Sequence, residues 1–89
     1  NLYYAGVTHG DRMTGELLDA LERAGVLDNT IVVITADHGE ELDDHGLWEH
    51  NHMFNTNLRV PLIVVAPGRL PAGVRVKSLV DSIDLLPSL

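Results

Sequence analysis

Apolar side chains recur at three- and four-residue steps through the first part of the chain. Met13, Leu17 and Leu21 fall on one face of a helix with this spacing, and charged residues fill much of the remaining surface. Gly25 follows the last periodic position, where helices commonly end on a glycine. The pattern therefore predicts a helix over about residues 2–24.

Two later stretches are continuously apolar instead of periodic. Residues 30–36 and 62–66 are rich in β-branched side chains, which is typical of strands covered on both faces, as in a parallel sheet. Together with the preceding helix they indicate an α/β fold, a largely parallel sheet flanked by helices. Weaker alternation predicts a short strand at about 74–80, and the start of a helix is expected at about 83–89.

Residues 37–57, between the two apolar stretches, follow neither periodicity. Long irregular segments in compact domains are usually functional or disordered, and the aromatic and histidine content here argues against disorder. Four of the chain's five histidines fall in this segment, namely His38, His45, His50 and His52. We therefore interpret 37–57 as an active-site loop, with Trp48 and Phe54 as its packing anchors.

Composition narrows the class of protein. Of the 89 residues, 45% are hydrophobic and 21% charged, which is ordinary for a globular chain. The net charge of -7 disfavours nucleic acid or an acidic membrane as a partner. No apolar run approaches the roughly 20 residues of a membrane span, and the absence of cysteine excludes disulfides and thiolate metal ligands. Periplasmic, extracellular and cytoplasmic locations all remain open.

The ends of the chain suggest a part of something larger. It begins without an initiator Met in sequence already typical of a helix, and it stops as another helix is expected to begin. Two strands and two helices would bury a parallel sheet poorly without neighbours. We expect an internal fragment of a longer protein.

Asp37 and His38, hereafter the Asp–His pair, directly follow the first apolar stretch. Ligands of open α/β sheets bind beyond the carboxyl ends of the strands, and this pair offers an oxygen and a nitrogen donor to one or two metal ions. Taken alone, the dipeptide is better explained by an Asp that caps a turn beside a surface histidine. The later histidines can hold an oxyanion or protonate a leaving group. The acidic residues that follow the pair are interpreted as a solvated run, in which Glu40 is best placed to support the site; they are Glu40, Glu41, Asp43 and Asp44.

Longer stretches around this pair resemble one known family. Residues 27–40, LDNTIVVITADHGE, are similar to the metal-binding segment of sulfatases, within the alkaline-phosphatase-like superfamily. Residues 45–48 and 58–63 resemble the loop and strand that follow it, and 80–88 resembles the segment that closes the catalytic domain. The resemblance covers nearly all 89 residues in order, and it favours metal binding over turn capping for the pair.

The resemblance implies metal-dependent hydrolysis of sulfate esters. Asp37 and His38 match the family's metal ligands. His50 falls where many relatives carry a basic residue that contacts the leaving group or the sulfate oxygens, which implies a catalytic and substrate-binding role; His52 is the competing catalytic candidate. Calcium is the metal that the family implies, with Mn and Zn as alternatives, because many sulfatases have Asn where this chain has His38.

The nucleophile implied by the resemblance is a formylglycine, made from Cys or Ser in a Cys/Ser-x-Pro-x-Arg motif that this chain lacks. We expect that motif and further metal ligands upstream, and we expect this piece alone to be inactive. The implied partners are a sulfated or phosphorylated small molecule or glycan, and the remainder of the catalytic domain. The alternatives are a phosphodiester or phosphonate hydrolase, a phosphoglycol transferase of the same superfamily, or a non-enzymatic remnant.

Overall fold

The computed structural model describes residues 2–89 of the chain. Its elements are, in order, α1 (Leu2–Arg23), β1 (Val32–Thr35), β2 (Glu41–Leu42), β3 (Trp48–Glu49), α2 (Asn55–Leu58), β4 (Leu62–Val65) and α3 (Leu85–Ser88). Short 3-10 turns at Leu27–Asn29 and Ser82–Asp84 precede β1 and α3. The helix expected at about 83–89 thus begins as a 3-10 turn and continues as α3.

The long helix α1 ends where its sequence predicts. Gly25 adopts a φ of 69°, the left-handed conformation that costs a glycine little. Its N–H donates to the carbonyl of Glu22 at 2.9 Å, and the N–H of Val26 donates to that of Leu21 at 3.1 Å, so the last carbonyls of the helix are satisfied. No residue of α1 is buried, so its apolar face has no covering layer within residues 2–89. Over the same residues, the structure contains no helix with both the length and the apolar character of a membrane span.

The strands β1 and β4 form a two-stranded antiparallel sheet, with Val32 opposite Val65 and Thr35 opposite Leu62. The parallel arrangement expected for these strands is therefore wrong in the described chain. Parallel neighbours need a long crossover connection, usually a helix, whereas the one helix in the segment between β1 and β4 is the four-residue α2. The end of β1 and the start of β4 consequently lie at the same edge, and residues 37–57 are attached to that edge.

The sheet is also less covered than its composition predicts. The side chains of β4 are 38% to 51% exposed, and among the described residues Ala66 is the one buried hydrophobic residue. A two-stranded sheet with two open apolar faces is marginal in water. Its sequence is therefore suited to covering layers that residues 2–89 do not supply.

The short strand expected at about 74–80 does not form in the described part of the chain. Val74 and Val76 are 63% and 73% exposed, so the weak alternation of this segment does not reflect a buried face. Conversely, the segment expected to be an irregular loop contains β2, β3 and α2. These short elements decide where its side chains lie.

Candidate functional site

A small hairpin brings the two halves of the 37–57 segment together. Leu42 of β2 pairs with Trp48 of β3, and the N–H of Asp43 donates to the carbonyl of Leu47 at 2.9 Å. Asp43 and Gly46 have φ values of 75° and 70°, which Asp and Gly tolerate better than most residues. The hairpin therefore returns the chain beside the end of β1. It brings His50 close to His38, although the two residues are distant in sequence.

All four residues expected at the site line one open depression at the end of β1: Asp37, His38, His50 and His52. Asn57 from α2 and Asp81 and Ser82 from the segment before α3 line the same depression. The structure thus brings the expected residues together, and it adds these three polar residues and Asn51, none of which the sequence singled out as lining the site.

His38 is held in one tautomer by its own backbone neighbour. Its Nδ1 donates to the carbonyl oxygen of Gly39 at 2.7 Å, which leaves Nε2 with its lone pair free. That Nε2 lies 3.7 Å from Oδ1 of Asp37. Two donors each about 2.1 Å from a tetrahedral ion are about 3.4 Å apart, so the pair fits two adjacent positions around one cation.

The Asp–His pair fits only part of a metal site. Within residues 2–89, no group of three or more His, Asp or Glu side chains is placed to hold a metal ion. Zinc sites use about three or four protein ligands and calcium sites about six to eight oxygen ligands. The donor set would therefore need further groups from outside the described residues.

His50 lies directly against this pair. Its ring stacks on that of His38, with ring centroids 4.1 Å apart and an interplanar angle of 22°. Its Nδ1 donates to Oε1 of Glu40 at 3.4 Å, so its Nε2 is the ring atom left for a ligand. Glu40, expected to support the site, thus contacts His50.

His52 lines the same depression. Its ring packs on Phe54, with centroids 5.9 Å apart. Phe54 also stacks on His45 at 4.1 Å, as expected of a packing anchor, whereas Trp48 is 64% exposed and anchors nothing in the described chain. Of the two competing histidines, the structure places His50 against the Asp–His pair.

Glu41 is the largest departure from the sequence interpretation. It was expected in a solvated acidic run, but its side chain is completely buried. The Thr56 hydroxyl donates to Oε1, and Nδ1 of His45 donates to Oε2 at 3.2 Å. The hydrogen bond from Thr56, followed by the contacts with His45, holds the pKa of Glu41 below its usual value although burial opposes this. Nothing in the sequence separates Glu41 from its acidic neighbours.

Asn57 is the second buried polar residue that the sequence did not indicate, with 4% of its surface exposed. The backbone carbonyl of Asn57 accepts a hydrogen bond from the N–H of Gly39 at 2.7 Å, and its side-chain Nδ2 donates to the backbone carbonyl of His52 at 2.7 Å. Its Oδ1 is buried and has no partner among the described residues. An unsatisfied buried acceptor costs about 1–3 kcal/mol, so the position calls for an explanation.

The buried Glu41 predicts a pH dependence of stability. Its folded-state pKa lies below the usual 4.5, so its contribution is complete above that value and is lost as the pH falls through the lowered pKa. We expect the urea unfolding midpoint of the full-length protein to fall from about pH 7 to about pH 3 more steeply than that of Glu41→Gln. Glu49→Gln, at the exposed residue paired with Glu41 in the hairpin, is the matched control and should follow the wild type. Equal slopes for Glu41→Gln and wild type would contradict the prediction.

Comparison with known proteins identifies the class and then the family. The sequence model described as Sulfatase matches residues 1–89, which places the chain in the alkaline-phosphatase-like α/β class. The chain belongs to the sulfatase family, as its resemblance around the Asp–His pair predicts.

Several relatives match almost the whole chain. It is 36% identical over 87 residues to the choline-sulfatase of Rhizobium meliloti (strain 1021). The matched region covers 98% of this chain and 17% of that protein. It is 37% identical over 87 residues to arylsulfatase K of Bos taurus, covering 98% and 16% respectively. It is also 37% identical over 86 residues to the N-acetylglucosamine-6-O-sulfatase of Bacteroides thetaiotaomicron, covering 97% and 15%. The chain thus spans about a sixth of the length of these relatives. No solved structure gave a significant match.

Proposed function

We propose that this chain is the segment of a sulfate-ester hydrolase that supplies two metal ligands and one substrate-contacting imidazole. The ligands are Asp37 and His38, and the imidazole is His50. The observation that carries the proposal is the stacking of His50 on His38 at 4.1 Å, beside Asp37 at the end of β1. Membership of the sulfatase family supports the choice of reaction, and the names of the relatives agree with it.

The Asp–His pair would hold one divalent cation. When bound, such an ion supplies a Lewis acid that polarises an ester oxygen and stabilises a nucleophile at neutral pH. Calcium is the metal that family resemblance favours. The free Nε2 of His38 is a nitrogen donor, however, and nitrogen donors suit Mn or Zn better than Ca. Resemblance thus favours Ca and the donor chemistry favours Mn or Zn, and direct metal analysis of the protein distinguishes them.

His50 would act on the substrate itself. With Nδ1 donating to Glu40, its Nε2 is available to contact a sulfuryl oxygen or to give a proton to the departing oxygen. The stack on His38 keeps this nitrogen beside the metal ligands. His52 would be a secondary contact in the same depression. The nucleophile, a formylglycine by resemblance, would come from the remainder of the catalytic domain.

A phosphate or phosphonate ester is the second candidate substrate. His38 is the residue that raises this candidate, because many sulfatases have Asn at this position, whereas phosphodiester and phosphonate relatives, like bacterial sulfatases, commonly have His. Sulfuryl and phosphoryl groups are both tetrahedral, so the difference lies in their charge and in the groups that balance it. The lining of the open depression contains three imidazoles, those of His38, His50 and His52, and no Lys or Arg.

The test is a comparison of matched esters on the full-length protein. We expect faster turnover of para-nitrophenyl sulfate than of para-nitrophenyl phosphate, and we expect a chelator to remove the activity. Separate reloading with Ca, Mn and Zn then identifies the metal. Faster turnover of the phosphate ester would favour the second candidate, and absence of both activities in metal-loaded protein would exclude a hydrolase.

A further inference from the structure

We propose that Asn57 is a positioning residue that fixes the segment from His50 to His52 against the Asp–His pair. The proposal rests on the function proposed above and deepens it, because it adds a residue that holds the proposed site together to those proposed to bind metal and substrate. Asn57 would act through the backbone of this segment.

Three contacts place Asn57 between the two halves of the site. Its backbone carbonyl accepts a hydrogen bond from the N–H of Gly39, the residue after the Asp–His pair, at 2.7 Å. Its Nδ2 donates to the carbonyl of His52 at 2.7 Å. Its own N–H donates to the carbonyl of Phe54 at 2.9 Å, which fixes the first turn of α2. One residue therefore holds the end of β1 with its backbone and the histidine segment with its side chain.

The packing around this connection leaves little freedom. A Cβ added to Gly39 would lie 1.8 Å from the carbonyl oxygen of Thr56, so the strand end and α2 approach each other as closely as only glycine allows. The Thr56 hydroxyl also donates to the buried Glu41, which joins the start of β2 to the same turn of helix. A shift of Asn57 would therefore be transmitted to both sides of the depression.

The unpartnered oxygen of Asn57 argues against a packing role alone. A leucine of similar size would fill the same buried volume without leaving Oδ1 unsatisfied. What the amide adds is its Nδ2 donor, and the described structure uses that donor on His52. The carbonyl that receives it is two residues from His50, whose ring lies on His38. A misplacement of about 1 Å at a reacting group can lower a rate about a hundredfold, so this restraint is expected to affect turnover.

The test uses Asn57→Asp and Asn57→Leu in the full-length protein. Both keep the approximate size of the side chain and remove the donor. We expect kcat for para-nitrophenyl sulfate to fall about 10- to 100-fold in each, with KM changed much less and metal content unchanged. Asn55→Ala, in the exposed first position of the same helix, is the control and should retain wild-type kinetics. If Asn57→Asp or Asn57→Leu retains wild-type kcat, the proposal is wrong.

A double-mutant cycle separates positioning from loss of folding. If Asn57 acts through His50, the pair Asn57→Leu with His50→Ala should be no slower than His50→Ala alone. Independent, multiplying losses, or a fall in kcat that parallels loss of folded protein by circular dichroism, would overturn the proposal. If the wild type hydrolyses the phosphate ester and not the sulfate ester, the proposed reaction is wrong. The role of Asn57 is then tested with the same variants on the phosphate ester. Absence of both activities would overturn both proposals.

Discussion

We expect Asp37→Ala to abolish metal binding and to lower turnover of the full-length protein at least about a thousandfold, as the loss of a Lewis acid worth several kcal/mol would do. The reason is geometric. Oδ1 of Asp37 lies 3.7 Å from Nε2 of His38, and it is the anionic member of the Asp–His pair. Without it, the segment retains one neutral donor, which cannot hold a divalent ion by itself.

The fold should survive this change. The Asp37 side chain is 89% exposed, and its hydrogen bond is to the N–H of the adjacent His38. The measurements are metal content by mass spectrometry, kcat, and the thermal midpoint. Asp28→Ala, at an exposed acidic residue in the turn before β1, should match wild type in all three. If Asp37→Ala kept wild-type metal content and kcat, the metal assignment would have to be abandoned.

Helices and strands were predictable here because their signals are local. The three- and four-residue spacing through Leu17 and Leu21 determines α1, and β-branched runs determine β1 and β4. The pairing of the strands was not predictable in the same way. Hydrophobic composition indicated coverage on both faces, but direction depends on the whole connection between β1 and β4. That connection lacks a long helix, and the pair is antiparallel.

The residues of the candidate site were likewise predictable where their proximity is local and not where it depends on long-range packing. Asp37 and His38 are adjacent in sequence and at a strand end, so their proximity follows from the chain itself. Resemblance suggested a site role for His50, but the hairpin turn at Asp43 and Gly46 that brings it to the pair was not predicted. The burial of Glu41 and Asn57 depends on how α2 packs back on the strand end, and no local pattern encodes that contact. Buried polar networks of this kind become visible only when the hydrogen-bond partners are known.

His50→Ala is expected to lower kcat about 100- to 1000-fold while leaving metal content close to wild type, since general acid–base groups contribute on that scale. The ring stacks on His38 but is not itself one of the proposed ligands. His52→Ala should cost much less, because the ring of His52 packs on Phe54, whereas the ring of His50 stacks on the proposed ligand His38. His9→Ala, at an exposed histidine of α1, is the control. A large loss in His52→Ala with none in His50→Ala would reverse the assignment of the two histidines.

The leaving group can separate the two roles open to His50. If its Nε2 protonates the departing oxygen, His50→Ala should slow an alkyl sulfate far more than para-nitrophenyl sulfate, because an alkoxide needs a proton and a nitrophenolate does not. If Nε2 instead contacts a sulfuryl oxygen, both esters should slow by the same factor, because that contact does not depend on the leaving group. The Glu40 contact at Nδ1 is compatible with either role, since it orients the ring and leaves Nε2 free. The ratio of the rate loss on the alkyl sulfate to that on para-nitrophenyl sulfate therefore distinguishes the two chemical roles of His50, which its position in the structure does not.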